Sequence, residues 1–304
     1  MRRTRLLTLS GALLCTFALA TAPTAASVLP SAPEADDDAL RIMVTNDDGY
    51  QAPGITILAD RLTEAGHDVT IVAPLTNQSG TGTKMSTSDT IAVEHPEPDV
   101  WAVDGTPGDA VAFGLSAVYG EDQPDLVISG ANFGINVAGI ANHSGTVGGA
   151  IAALERGVPA FAVSTGDLAV PVHEPTVNAM GRTSDFVVEL IDHLQDRSRS
   201  DALLPDGVGL NINHPIVGED GTGLAEGAAV TFQDEQSILK PTYTDSGDGT
   251  WQVGVTVELR DPPRRSDTAA ILADQVSMTP ISADWNTGRS DFAQARFLLR
   301  GVQP

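Results

Sequence analysis

The chain predicts an α/β protein, a doubly wound and mostly parallel sheet with a β-hairpin extension toward the C-terminus. Three observations carry this. From residue 40 to about 213, short apolar runs alternate with helix-period segments, the pattern of parallel strands joined by crossover helices. The first run ends in Asn46-Asp47-Asp48-Gly49, a polar turn at the strand end where open α/β sheets place their ligands. After Asn213 the helical period fades, and strand-like runs flank a polar, Gly-containing turn.

Leu40-Arg41-Ile42-Met43-Val44-Thr45 reads as a buried parallel strand. Pro53-Gly54 opens a helix with Ile55, Leu58, Ala59 and Leu62 on one face, and Gly66 stops it. Asp68 to Pro74 is the second strand, which closes a βαβ unit with Asp47 and Asp48 at its first crossover. Short strands follow at Thr90 to Glu94 and Val100 to Val103, then a helix from about Pro107 to Tyr119 and a strand from Asp125 to Ser129. A Gly- and Asn-rich loop leads to a helix from Gly145 to Arg156, a strand from Ala160 to Ser164, and a long helix from Pro175 to Leu194. Gly209 to Asn213 is a further strand.

Beyond it, Ala228 to Phe232 and Trp251 to Leu259 flank Thr244-Asp245-Ser246-Gly247-Asp248-Gly249 and read as a long hairpin, an arm over about 226–262. Such an arm suits contact with a second subunit or packing on its own body. A last strand around Val276 to Pro280 precedes a short C-terminal helix.

Arg2, Arg3 and Arg5 stand before an apolar run from Leu6 to Ala20, with small residues after it as cleavage points. That order predicts a secretory signal over 1–26, and the run is short for a membrane span. Arg2-Arg3 matches a twin-arginine signal only weakly in Thr4-Arg5-Leu6-Leu7, so the export route stays open. Residues 27–39, rich in Pro, Ala and acid, read as a disordered acidic linker to a domain over 40–304. The single cysteine, Cys15, lies in the leader, which leaves the secreted form without thiol or disulfide chemistry.

The formal charge is -23, and loss of the leader's three arginines makes it three units more negative. With lysine only at 84 and 240, the field disfavours nucleic-acid polymers and, once the signal is removed, anionic membranes.

Adjacent carboxylates at a partly buried strand end are costly unless a cation or hydrogen-bond donors compensate them. Asp-Gly is also an ordinary turn dipeptide. What favours a site is the company: Asn77-Gln78-Ser79-Gly80 after the second strand, Ser129-Gly130-Ala131-Asn132-Phe133-Gly134-Ile135-Asn136 after a central strand, and His143-Ser144-Gly145-Thr146 opening a helix. Each is polar and glycine-rich where a bland connection needs one turn residue.

In these segments the chain resembles the SurE family of survival-protein 5'/3'-nucleotidases. The resemblance rests on Asn46 to Gly49 with Ala52-Pro53-Gly54, Asn77 to Gly80, Gly105-Thr106-Pro107 with Asp109, Ser129 to Asn132, and Ser144 to Val147. Asn211-Ile212-Asn213 and Val276 to Pro280 extend it over nearly all of Arg41 to Trp285. It implies a Rossmann-like body, a homodimer or tetramer, and a divalent metal held by Asp47, Asp48, Ser79 and Asn132. Carboxylate, hydroxyl and amide oxygens are hard ligands that suit Mg2+, Mn2+ or Ca2+. Asp47, Asp48 and Asn132 are the catalytic candidates, with Asp48 ahead of Asp47 as proton acceptor from a water. An aspartyl-phosphate route lacks the Asp-x-Asp spacing of aspartate-nucleophile phosphatases.

Ser144, Gly145 and Thr146 begin a helix, where free N–H groups and hydroxyls grip phosphate, although Ser144 also suits a plain N-cap. Asn136 matches a family position near the site. The chain departs from the family pattern in three places. His143 replaces a Tyr, Val137 to Ala141 lack the usual acids, and Gln78 replaces a frequent Arg. His143 is a candidate general acid toward the leaving oxygen, with a solvated loop residue as the other reading. Gly80-Thr81-Gly82-Thr83 is no dinucleotide fingerprint, and a Gly-x-Ser-x-Gly elbow is missing.

The expected function is hydrolysis of nucleoside 5'- and 3'-monophosphates by an exported, metal-dependent phosphomonoesterase. A broad acid phosphatase, or a nucleotide- or metal-binding protein without turnover, stands as the alternative.

Overall fold

The computed structural model describes residues 39–168, 173–197, 203–284, 286, 289–298 and 300. The expected signal over 1–26 and all of the linker but residue 39 lie outside the described residues.

The chain runs through β1 (Arg41–Thr45), α1 (Pro53–Glu64), β2 (Asp68–Pro74), β3 (Val93–Glu97), β4 (Val100–Val103) and α2 (Pro107–Phe113). A π-helical stretch, Gly114–Tyr119, continues α2 before β5 (Leu126–Phe133). A 3-10 turn, Ala138–His143, leads into α3 (Gly145–Leu154), β6 (Ala160–Thr165), α4 (His173–Arg197) and β7 (Gly209–His214). The last part holds β8 (Gly227–Val230), β9 (Leu239–Asp245), β10 (Trp251–Val257), α5 (Asp267–Ile271), β11 (Gln275–Ile281) and α6 (Arg289–Leu298).

Among the described residues, nine strands form one sheet in the order β3-β4-β2-β1-β5-β6-β7-β11-β8, parallel except where β3 meets β4 and β11 meets β7. Strands β1, β5 and β6 are apolar on both faces because helices cover both. One face packs Met43, Val72 and Val127 against α2 and α3, and the other packs Ile42, Val44, Ile128 and Phe161 against α1 and α4. Each fully buried Leu or Ile contributes roughly 2 kcal/mol through lost apolar surface. After β1 the chain moves outward through β2 to β4, then returns to the other side of β1 as β5 and proceeds through β6 to β7. The strand order therefore reverses between β1 and β5, which opens a crevice at their C-terminal ends.

Local sequence sets the helix starts. Pro53 occupies the first turn of α1, where its missing N–H costs nothing. Thr106 and Asp109 form a reciprocal capping box on α2. The Ser144 hydroxyl accepts from Val147 N–H at 3.1 Å and caps α3.

Several expected elements are corrected. The hairpin partner of β10 is β9, paired from Leu239↔Val257 to Asp245↔Trp251, and not the run Ala228 to Phe232. Gly227–Val230 instead joins the main sheet as β8, parallel to β11. Pro241 lies within β9, where a two-stranded ribbon leaves edges at which a missing N–H is tolerated. The strand expected at Thr90 to Glu94 lies at Val93–Glu97, β5 runs four residues beyond Ser129, and α5 was not foreseen.

Candidate active site

The turn Asn46–Gly49 is closed by its own first side chain. Asn46 Oδ1 accepts from Gly49 N–H at 3.2 Å, and Asn46 Nδ2 donates to the Gly49 carbonyl at 2.8 Å. Gly49 has φ 104°, a left-handed conformation that favours glycine. The two carboxylates are thereby presented at the end of β1, beside the end of β5.

Asp47 is 3 % exposed. Its Oδ1 accepts from Thr146 Oγ1 at 2.6 Å, and the backbone N–H groups of Thr146 and Gly145 also favour its charged form. Burial outweighs these donors and raises its pKa. Gly145 is required here by space, because a Cβ at that position would lie 2.8 Å from both Cβ and Oδ2 of Asp47. Asp48 is half-buried; its Oδ2 accepts from Phe133 N–H at 3.0 Å and its Oδ1 from Asn77 Nδ2 at 3.3 Å. Burial, with the neighbouring Asp47 charge adding to it, pushes its pKa up to about 6.

Asn132, at the end of β5, donates from Nδ2 to the Gly134 carbonyl at 2.8 Å, which leaves its amide oxygen available as an acceptor or ligand. The exposed Ser79 is held by its N–H on Asn77 Oδ1 at 3.0 Å, so one asparagine ties the Ser79 loop to Asp48. Asp47, Ser79 and Asn132 line one cavity of about 630 Å³. Asn136 also lines it, but its side chain serves the scaffold, donating to Ser164 Oγ at 2.9 Å and Thr146 Oγ1 at 3.3 Å. Its own backbone is gripped by Asn213 Oδ1 at 2.6 Å and Asn211 Nδ2 at 2.8 Å. His143 is exposed on the cavity rim.

Among the described residues, no group of three or more His, Cys, Asp or Glu is placed to hold a metal. The set Asp47, Asp48, Ser79 and Asn132 offers two carboxylates and two neutral oxygens, a donor set that fits a hard divalent cation. Two carboxylates whose charged forms burial disfavours gain most from such a cation.

Of the expected phosphate ligands, the structure turns Gly145 and Thr146 toward Asp47 and spends the Ser144 hydroxyl on the helix cap. What the sequence missed is the far wall. Ile135, Ile140, Ile238, Leu239, Pro241 and Val255 make it apolar, and four of these six lie at or next to the hairpin base. The period-2 pattern Leu239, Pro241, Tyr243 was the available signal, masked by the proline.

The family model described as Survival protein SurE matches residues 42–239. A curated relative from Halobacterium salinarum, "5'-nucleotidase SurE", is 36 % identical over 269 residues, which cover 84 % of this chain and 96 % of that one. A relative of the same name from Thermosynechococcus vestitus is 34 % identical over 286 residues, 87 % and 98 % of the two chains. The crystal structure of a SurE protein from Aquifex aeolicus superposes with a TM-score of 0.71 at 27 % identity, over 85 % of this chain and 99 % of that one. With the carboxylate turn, the Asn132 loop and the capped α3 at the reversal point of the sheet, the chain belongs to the SurE family.

Proposed function

We propose that the protein is an exported, metal-dependent phosphomonoesterase that hydrolyses nucleoside 5'- and 3'-monophosphates to nucleoside and phosphate. The observation that carries this is the meeting of Asp47, Ser79 and Asn132 on one cavity that is also lined by apolar side chains. The naming of its relatives as 5'-nucleotidase SurE supports it.

Asp47, Asp48, Ser79 and Asn132 would hold Mg2+ or Mn2+, with Ca2+ also compatible. Such a cation, when bound, polarises a phosphate oxygen and lowers the pKa of a bound water. Asp48, fixed by Phe133 N–H, is a carboxylate suited to accept a proton. Asp47 stays in place through Thr146. His143, on the rim, is available to protonate the leaving oxygen. The apolar part of the wall accepts a base or sugar edge mainly through non-directional contact, with the Ser237 hydroxyl beside it, which favours broad base tolerance.

The hairpin supports a homo-oligomer. Its register puts Leu239, Pro241, Tyr243, Trp251, Val253, Val255 and Val257 on one face, with Tyr243 62 % and Val253 65 % exposed. An isolated two-stranded ribbon is marginal in water, so this face gains from a second copy of the chain. Val253→Asp is expected to lower the mass measured by light scattering. Among the described residues, no helix is long and apolar enough to cross a membrane. Export rests on the leader sequence and is tested by fractionating cells that express the full chain.

The deciding experiment is phosphate release from a panel of 5'- and 3'-nucleoside monophosphates with Mn2+, Mg2+ or chelator, beside Asp48→Asn. Turnover that needs metal and is lost in the variant is expected. Saturable nucleotide binding without phosphate release from the folded protein would favour a binding protein instead.

A further inference from the structure

Asp267 is fully buried, yet it belongs to none of the segments that hold phosphate or metal. It opens α5, and its carboxylate is divided between two distant pieces of chain. Oδ2 accepts from Ala138 N–H at 2.9 Å, and Oδ1 accepts from Asp234 N–H at 2.9 Å and Thr268 N–H at 2.8 Å. Asp234, 1 % exposed, continues the network by accepting from Thr268 Oγ1 at 2.6 Å and from Gln236 N–H and Nε2 at 3.0 Å. Gln236 returns it to the turn, its carbonyl accepting from Gly139 N–H at 2.9 Å, while Gln233 Nε2 donates to the Ala138 carbonyl at 2.8 Å.

Both pieces are cavity walls. The turn Ala138–His143 supplies Gly139, Ile140 and His143, and the segment from Asp234 leads directly into Ser237, Ile238 and Leu239. Ala138 sits at φ 51°, a left-handed conformation that an alanine holds only when its surroundings impose it. The carboxylate acceptor on its N–H is one such constraint; burial raises the Asp267 pKa, and the three N–H donors favour the ionised form in which such bonds are strongest.

We propose that Asp267 is a positioning residue: it welds the Ala138–His143 turn to the base of the hairpin and so fixes the two walls between which the leaving group of the substrate sits. The inference rests on the cavity being the substrate site of the proposed phosphomonoesterase. Asp47, Asp48 and Asn132 are held by separate bonds to α3, β5 and the Gly134 carbonyl, so the phosphate end does not depend on Asp267.

Asp267→Asn keeps the size but turns an amide donor against an N–H group. The expected result is a KM for nucleoside monophosphates raised on the order of tenfold, because contacts made equally in ground and transition states are weakened, with kcat within about twofold for a phosphomonoester whose good leaving group needs no proton from His143 of the same turn. The inhibition constant of orthophosphate, which does not reach the walls, is expected to stay unchanged. Ala138→Gly in the Asp267→Asn background is expected to recover part of the KM, since glycine adopts the turn without the constraint. If Asp267→Asn does not fold, Ala138→Val distorts the same turn with the carboxylate intact and is expected to give the same split. An unchanged nucleotide KM in either folded variant, or an equal loss for nucleotide and orthophosphate, overturns the proposal. Failure of the unmodified protein to release phosphate from any monoester overturns the reading beneath it, and is seen before any variant is made.

Discussion

Thr146 Oγ1 donates a 2.6 Å hydrogen bond to Asp47 Oδ1, joining the first turn of α3 to the end of β1 across 99 residues of sequence. The contact fixes which way a nearly buried carboxylate faces. Its removal leaves that nearly buried carboxylate one donor short.

Thr146→Val keeps the shape and deletes the donor. Metal affinity or turnover is expected to fall about 10- to 100-fold, the usual effect of losing an orienting partner of a ligand. Titration of activity with Mn2+ measures it, and a variant with an unchanged Mn2+ requirement would show that Asp47 is held by the backbone alone.

Gly145→Ala probes the same junction by volume. The added Cβ meets Asp47 at 2.8 Å, so Asp47 or the start of α3 must shift. A displaced ligand of this kind is expected to lower kcat/KM on the order of 10²-fold. Near-native activity would mean that the junction yields cheaply.

For the metal-free protein, Asp48 predicts a pH dependence of stability. Its folded pKa, about 6, is above the ordinary 3.8, so the folded state binds the proton more tightly than the unfolded chain. The contribution of Asp48 is full below about pH 3.8 and is lost as pH rises through about 6. Melting curves with chelator are therefore expected to show wild type losing stability relative to Asp48→Asn between pH 4 and 7. A saturating divalent cation should reduce or reverse that trend, because it binds the ionised form.

Asp109 acts in the opposite sense. It is 6 % exposed, and hydrogen bonds from Ser86 N–H and Oγ and from Thr106 N–H and Oγ1 outweigh its burial and lower its pKa. Its contribution is present above the unfolded pKa and lost as pH falls through the folded one. Asp109→Ala is expected to cost about 2 kcal/mol or more at neutral pH, read from denaturant unfolding.

Net charge adds a salt dependence. A formal -23 repels itself, and added salt screens that repulsion over about 10 Å at 0.1 M. Melting temperature is expected to rise between low salt and about 0.5 M NaCl, and a flat response would show that the charges are too dispersed to matter.

The sequence by itself determined the alternation of strands and helices, the placement of Asp47 and Asp48 at the first crossover, and the Asn132 and Ser144 loops. Each depends on nearby residues: apolar period, a glycine-closed turn, a serine cap. Tertiary structure decided the rest. Only the strand order puts β5 beside β1, so that Phe133 N–H reaches Asp48 and α3 bonds Asp47. Only folding turns Gly145 and Thr146 to Asp47, moves Gly227–Val230 from the hairpin into the sheet, and places Asp267 between the two cavity walls. The physical reason is that a hydrogen-bond donor or an apolar side chain carries no mark of its partner in the sequence. The partner is chosen when burial forces every polar group near it to find one.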